Sequence, residues 1–140
     1  VNYTLAIIKP DAVSRGNAGR VLAALEDEGF EIRAARFARL DAEQAAAFYA
    51  VHRDRPFFES LKAFMTSGPV LALALEREDA VAHLRRVIGA TDPAEAEPGT
   101  VRALYAENKE RNAIHASDSE ETARQELAFF FSRRELLGGG

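Results

Sequence analysis

Apolar and polar positions follow two different periods along the chain, and each change of period predicts an element boundary. From Tyr3 to Ile8 the side chains alternate between two faces, Tyr3, Leu5 and Ile7 against Thr4, Ala6 and Ile8. Both faces are largely apolar, which predicts a buried strand. Lys9-Pro10-Asp11 ends it, because proline cannot donate to a ladder, and leaves a lysine and a carboxylate at its carboxyl end. After Gly16, the positions Ala18, Val21, Leu22, Leu25 and Glu26 fall at helical spacing until Gly29. Residues 30–40 predict a second strand, with Ile32, Ala34 and Phe37 set among arginines that suggest a solvated face. Asp41 and Gln44 form a capping-box pattern for a helix to about His52.

Arg55-Pro56-Phe57-Phe58 begins another helical stretch, which ends near Thr66-Ser67-Gly68-Pro69. The continuous apolar run at 70–75 predicts a central strand. Glu78 or Asp79 opens a helix through Ile88 to Gly89. Residues 90–111 carry two prolines, a glycine and little periodicity, and a long loop of that kind inside a small domain is usually functional. A short strand at 113–115 and a helix after Ser119, with apolar stripe Ala123, Leu127, Phe130 and Phe131, complete the pattern. Glycines 138–140 are expected to fray. The succession predicts an α/β (α+β) sandwich: a four-stranded antiparallel sheet with helices packed on it, the ferredoxin-like arrangement.

Composition narrows the function. A chain of 140 residues suits one domain, residues 1–140, and no apolar run approaches the roughly 20 residues that span a bilayer. The chain opens directly into the alternating pattern without a secretion signal, so a cytoplasmic location is the expectation. The absence of cysteine excludes disulfides, thiolate catalysis and cysteine-ligated zinc. A net charge of -4 offers no general attraction to nucleic acid, which is not an expected partner. A phosphate site must then be a local cluster of cations. Three of the 18 basic residues are lysines; the arginine majority suits oxyanion recognition, but a coding bias explains it equally well.

Of the three histidines, His115 has the most informative surroundings, lying just before a predicted helix whose bare amides and dipole favour anions and a neutral ring. The spacing alone is also that of an ordinary strand end followed by the caps Ser117, Asp118 and Ser119. Glu126, seven residues after Ser119, could reach back and hold the ring nitrogen that does not attack. His52-Arg53-Asp54 looks like a protein-kinase catalytic loop, but Glu59 stands where the asparagine should be and no glycine-rich strand loop is present. His83 reads as part of a solvated helix face. No Gly-Lys-Ser/Thr phosphate loop occurs, so side chains must hold any phosphate. Arg85, Thr91 and Arg102 are the candidates, and Phe57 and Phe58 offer faces for a base, one of them expected in the core.

Taken together, these residues resemble the nucleoside diphosphate kinase family over essentially the whole chain. Residues 112–119 are similar to its signature Asn-x-x-His-Gly-Ser-Asp-Ser. Supporting it in order and spacing are Ile8-Lys9-Pro10-Asp11, Arg55-Pro56-Phe57-Phe58, Ser67-Gly68-Pro69-Val70, Gly89-Ala90-Thr91-Asp92-Pro93 and Pro98-Gly99-Thr100-Val101-Arg102. The resemblance implies ping-pong transfer of a terminal phosphoryl from a nucleoside triphosphate to a diphosphate through phosphohistidine at His115. It implies phosphate contacts from Arg85, Thr91 and Arg102 with Mg2+ bridging the phosphates, sugar contacts from Lys9 and Asn112, and base stacking on Phe57. Lys9 would also approach the transferring group, Tyr49 would sit beside the histidine, and Glu126 with Ser117 would orient the ring. A homo-oligomer, tetramer or hexamer, is implied as well. Three departures stand out: Ala116 for the glycine after the histidine, Leu104 for an acidic residue, and Lys109 where an apolar residue often sandwiches the base. Ala116 and Leu104 leave a non-catalytic nucleotide-binding module on the same fold as the alternative.

Overall fold

Both apolar faces of the first strand are covered in the computed structural model, which describes residues 2–138. This strand, β1 (Tyr3–Ile8), lies inside a four-stranded sheet of order β2-β3-β1-β4, with β2 (Glu31–Ala38), β3 (Val70–Glu76) and β4 (Ile114–Ala116). All three pairings are antiparallel. Alternation sends Leu5, Ile7, Ala72 and Ala74 to one face, where α3 (Ala42–Phe48), α4 (Phe58–Met65) and α7 (Glu120–Phe130) bring Phe48, Met65 and Leu127 onto them. Ala6, Ile8, Leu71, Leu73 and Leu75 go to the other, under α2 (Ala18–Asp27), α5 (Ala80–Ile88) and α6 (Val101–Tyr105). Helices on both faces explain why the central strands read as continuous apolar runs although the sheet is antiparallel.

The edge strand β2 carries a bulge between Ile32 and Ala34. Two residues apart, these side chains would share a face in a regular strand; the extra residue sends Ile32 to the α2/α5 core and Ala34 to the opposite one. Beyond the bulge Phe37 is 64% exposed, the solvated face that the arginines predict.

Several elements differ from the sequence expectation. Pro10, expected only to end β1, is the first residue of a short helix, α1 (Pro10–Ser14), a position where its missing N–H costs nothing. The helix expected to reach His52 stops at Phe48 and continues as the 3-10 turn Ala50–His52; Asp41 and Gln44 do form the capping box. The stretch expected from Arg55 becomes helical at Phe58. Residues 90–111 are not structureless: Asp92 caps the 3-10 turn Pro93–Glu95, and Thr100 caps α6. The last strand lies one residue later than expected, which puts His115 at its centre. Gly138 ends a further helix, α8 (Arg133–Gly138), and the fraying expected of residues 139 and 140 lies outside the described residues.

Leu73, fully buried in the central strand, is the residue on which the α2/α5 core closes. Leu73→Ala is expected to lower unfolding stability by about 2–5 kcal/mol in urea titration, with an unchanged denaturant slope. A cost below about 1 kcal/mol would show that this core is not close-packed.

Candidate functional site

Pairing of β4 with β1 sets His115 opposite Ile7, so its ring points to the face covered by α3 and α7. There it meets the edges of Phe48 and Tyr49, with ring centroids 5.4 and 6.0 Å away. Its Nε2 lies 2.9 Å from Glu126 Oε1, mid-helix on α7, and Ser117 Oγ donates to the same oxygen at 2.7 Å. A carboxylate can only accept, so Nε2 carries the ring proton and Nδ1 is left with its lone pair.

The ring opens on a cleft of about 610 Å³, a volume suited to a small-molecule ligand. Lys9, Tyr49, Phe57, Arg85, Thr91, Arg102, Asn112, His115 and Glu126 all line it, so nine sequence-selected residues converge; Ser117, fully buried, touches it through Glu126. Phe57 is 46% exposed at this cleft while Phe58 is buried in the core, which settles which ring is free. Lys109 lines the cleft as well, whereas Leu104 is exposed on the outer side of α6, away from it.

Cations dominate the inner end. Arg102, 6% exposed, donates NH1 to Gly89 O at 3.0 Å and NH2 to Ile114 O at 2.8 Å. Burial, and then the Arg85 guanidinium, lower its pKa to about 10. Lys9 Nζ donates to Asn112 Oδ1 at 2.8 Å, and Asn112 Nδ2 donates to Thr91 O at 3.1 Å. Burial, and then Arg102, bring the Lys9 ammonium down to about 8 against the opposing pull of Asp11 and Glu110. Among the described residues no carboxylate lies within ion-pair distance of Lys9, Arg85 or Arg102. Buried Lys9 and Arg102 with exposed Arg85, none of them ion-paired among the described residues, form a candidate anion site.

The Tyr49 hydroxyl is buried without a hydrogen-bond partner among the described residues, and burial, then the Glu126 carboxylate, raise its pKa so that it stays a donor. Ala113, two residues before His115, has φ 74°, and Ile114 N donates to Asn112 O at 2.9 Å, which closes a tight three-residue turn. Such backbone in a non-glycine residue costs about 1–3 kcal/mol and persists where neighbours hold it. Ala116 lies in extended β4, so its methyl demands no left-handed backbone.

Six residues of the cleft have no ligand role in the sequence pattern: Val51, Leu61 and Glu110, and three polar or aromatic ones at its mouth, His52, Asp118 and Thr122. His52, rejected in the sequence as a kinase-loop residue, stands between Tyr49 and Phe57, 6.4 and 5.5 Å between ring centroids. Its spacing of three from Tyr49 was the available signal. Asp118 and Thr122 line the mouth beside the α7 N-terminus, Thr122 three residues after the cap Ser119. His83, expected on a solvated face, is instead half-buried, with Nε2 3.0 Å from Glu28 Oε1. No group of three or more His, Cys, Asp or Glu able to hold a metal occurs among the described residues, and no helix among them is long and apolar enough to cross a membrane.

Comparison with known proteins gives one answer. A family model described as nucleoside diphosphate kinase matches residues 2–136. A nucleoside diphosphate kinase of Desulfovibrio desulfuricans is 54% identical, the match covering 95% of this chain and 96% of that protein. One of Acidiphilium cryptum is 53% identical over 96% of both. A crystal form of the Aquifex aeolicus nucleoside diphosphate kinase superposes with TM-score 0.93 at 48% identity, covering 95% of this chain and 96% of that one. A halophilic nucleoside diphosphate kinase from Halobacterium salinarum, in complex with CDP, superposes with TM-score 0.91 at 41% identity, covering 95% and 89%.

The desolvated lysine has a stability signature. Its pKa falls from 10.5 to about 8 on folding, so below pH 8 both states hold the proton and the folded protein bears the full cost. Between those values the unfolded chain binds more protons, and stability rises with pH. The stability of Lys9→Met relative to the parent should therefore be most favourable at pH 7 and decline by about 2–3 kcal/mol by pH 10, read by urea unfolding. A difference independent of pH would mean that the ammonium is not desolvated.

Proposed function

The chain belongs to the nucleoside diphosphate kinase family, a family of phosphotransferases, and from that premise we propose that His115 is the residue that carries the phosphoryl group. The observation that carries this reading is the bond from His115 Nε2–H to Glu126, which leaves Nδ1 unprotonated toward a cleft of unpaired cations.

In the first half-reaction Nδ1 attacks the terminal phosphorus of a nucleoside triphosphate. The N–P bond forms, the bond from phosphorus to the bridging oxygen breaks, and the diphosphate leaves with that oxygen's electron pair. The second half-reaction runs the same step backwards onto a different diphosphate. Glu126, steadied by Ser117, holds the ring tautomer and offsets the charge that grows on the imidazole. Arg85, Thr91 and Arg102 bind phosphate oxygens; Lys9 and Asn112, hydrogen-bonded to each other, bind the sugar hydroxyls, and Lys9 together with the Tyr49 hydroxyl approaches the group in transfer. Phe57 presents its exposed face to the base. The CDP complex of the Halobacterium salinarum relative supports a nucleotide as ligand.

A magnesium ion would be held through the phosphates that Arg85, Thr91 and Arg102 bind, a mode that asks for few protein ligands. When bound it supplies Lewis-acid neutralisation of the phosphate charge. The same reading extends to one domain over residues 1–140, acting in the cytoplasm as a homo-oligomeric tetramer or hexamer.

With ATP labelled in the terminal phosphate, the protein is expected to acquire an acid-labile, alkali-stable label that a second diphosphate discharges. His115→Ala should lose labelling and transfer, by about 10⁴-fold or more, while nucleotide binding stays measurable by calorimetry. Transfer at a normal rate by that variant would refute the carrier assignment. Because stacking on Phe57 tolerates every base, kcat/KM for purine and pyrimidine diphosphates should agree within about tenfold. A preference of several hundredfold for one base would require edge recognition instead.

A further inference from the structure

Asp11 carries no role in the reading above, yet it is 5% exposed and sits at the focus of the site's backbone. It is the second residue of α1, where Pro10 turns the chain out of β1. Its Oδ2 accepts from Ala113 N at 3.0 Å, and the carbonyl of that same residue accepts from Lys9 N at 2.9 Å. Ala113 is therefore gripped on both sides by the segment Lys9-Pro10-Asp11. It is also the residue held at φ 74°, with Asn112 before it and His115 two positions after. The circuit closes through side chains, because Asn112 Oδ1 accepts from Lys9 Nζ at 2.8 Å. The other carboxylate oxygen, Oδ1, is buried with no hydrogen-bond partner among the described residues.

We infer that Asp11 is a positioning residue of the transfer site: its carboxylate clamps the strained turn that carries Asn112 and His115, and adds a buried negative charge two residues from Lys9. The inference rests on the proposed roles of His115 and Lys9. Its first half follows from the turn. An alanine at positive φ relaxes unless its amide is held, and relaxation would swing Asn112 away from Lys9 and shift the start of β4. A backbone N–H donating to a carboxylate is among the stronger clamps a protein has, stronger than one between neutral groups.

The second half follows from the groups facing the ammonium. Arg102 on α6 disfavours its charge, and Asp11 on α1 and Glu110 in the loop after α6 favour it, Asp11 more than Glu110. Asn112 is neutral. With burial already bringing Lys9 to about 8, loss of the Asp11 charge lowers it further.

Two variants separate these roles. Asp11→Asn keeps an oxygen for Ala113 N–H and removes the charge. The alkaline limb of kcat/KM, which reports free enzyme, should move about one unit to lower pH, with activity near the parent's on the acid side. Asp11→Ala removes charge and clamp together and should lose activity across the whole pH range. Adding Ala113→Gly, which adopts positive φ freely, should restore about tenfold or more of that loss at pH 6.5 and leave the alkaline limb displaced. An unmoved limb in Asp11→Asn overturns the charge role; no restoration by Ala113→Gly in folded Asp11→Ala overturns the clamp. Thermal unfolding of each variant establishes that it is folded, and if Asp11→Asn does not fold, the limb is read in the Asp11→Ala/Ala113→Gly protein. The phosphohistidine label on the parent keeps this test apart from the functional one: a parent that labels normally with variants that fail these expectations sinks only the role of Asp11.

Discussion

The bond from His115 Nε2 to Glu126 is the constraint on which the proposed chemistry turns. An imidazole with a proton free to choose its nitrogen presents a nucleophile only part of the time and in either of two orientations. Fixing the proton on Nε2 removes that ambiguity and aims Nδ1 at the cleft. What fixes Glu126 is hydrophobic: its neighbours Leu127 and Phe130 pack on the sheet face of Leu5 and Ile7, and β4 is laid against β1 so that His115 stands opposite Ile7. The position of a proton thus depends on how a helix stripe meets a strand, with Ser117 holding the carboxylate in place.

The cations obey a different logic. Arg102 is held by two backbone carbonyls and Lys9 by an asparagine oxygen, all neutral acceptors. These satisfy geometry without cancelling charge, and burial penalises both cations, lowering the pKa of each. An incoming polyanion removes this penalty on binding. The acidic balance of the whole chain, -4, makes the contrast sharper, because attraction for phosphate is then confined to one end of one cleft.

Periodicity was enough to predict the four strands and the major helices, because long apolar stripes and capping signals are local properties. It failed where tertiary contact decides: Pro10 reads as a terminator but starts α1, and residues 90–111 read as loop although the five-residue α6 lies within them, too short to show a period. The one-residue displacement of β4 places His115 inside the strand, paired with Ile7, instead of at its end. Chemistry was legible where a residue type is rare in its setting, as with His115 before a run of caps. His52 and Asp11 were quoted in the sequence without a role, because what they do depends on partners 5 and 102 positions away, Phe57 and Ala113.

The departures from the family pattern fall on parts of the site with different tolerances. At Ala116 the strand is extended, so a side chain there meets no backbone restriction; its methyl faces the α2/α5 core while its carbonyl, which Arg85 NH1 approaches at 3.4 Å, is the same in any residue. Leu104 stands outside the cleft and cannot touch a nucleotide within it. Lys109 differs in kind, because it lines the cleft that also holds Phe57, where a long flexible cation replaces a surface that an aromatic base could rest on. A lysine there can still cover a base with its methylene stem and keep its ammonium in water, so stacking loses some rigidity without losing contact. The inner constellation of His115, Glu126, Arg102 and Lys9 is held by buried hydrogen bonds that none of these three side chains makes, and change at the mouth is thereby kept apart from the group that transfers phosphate.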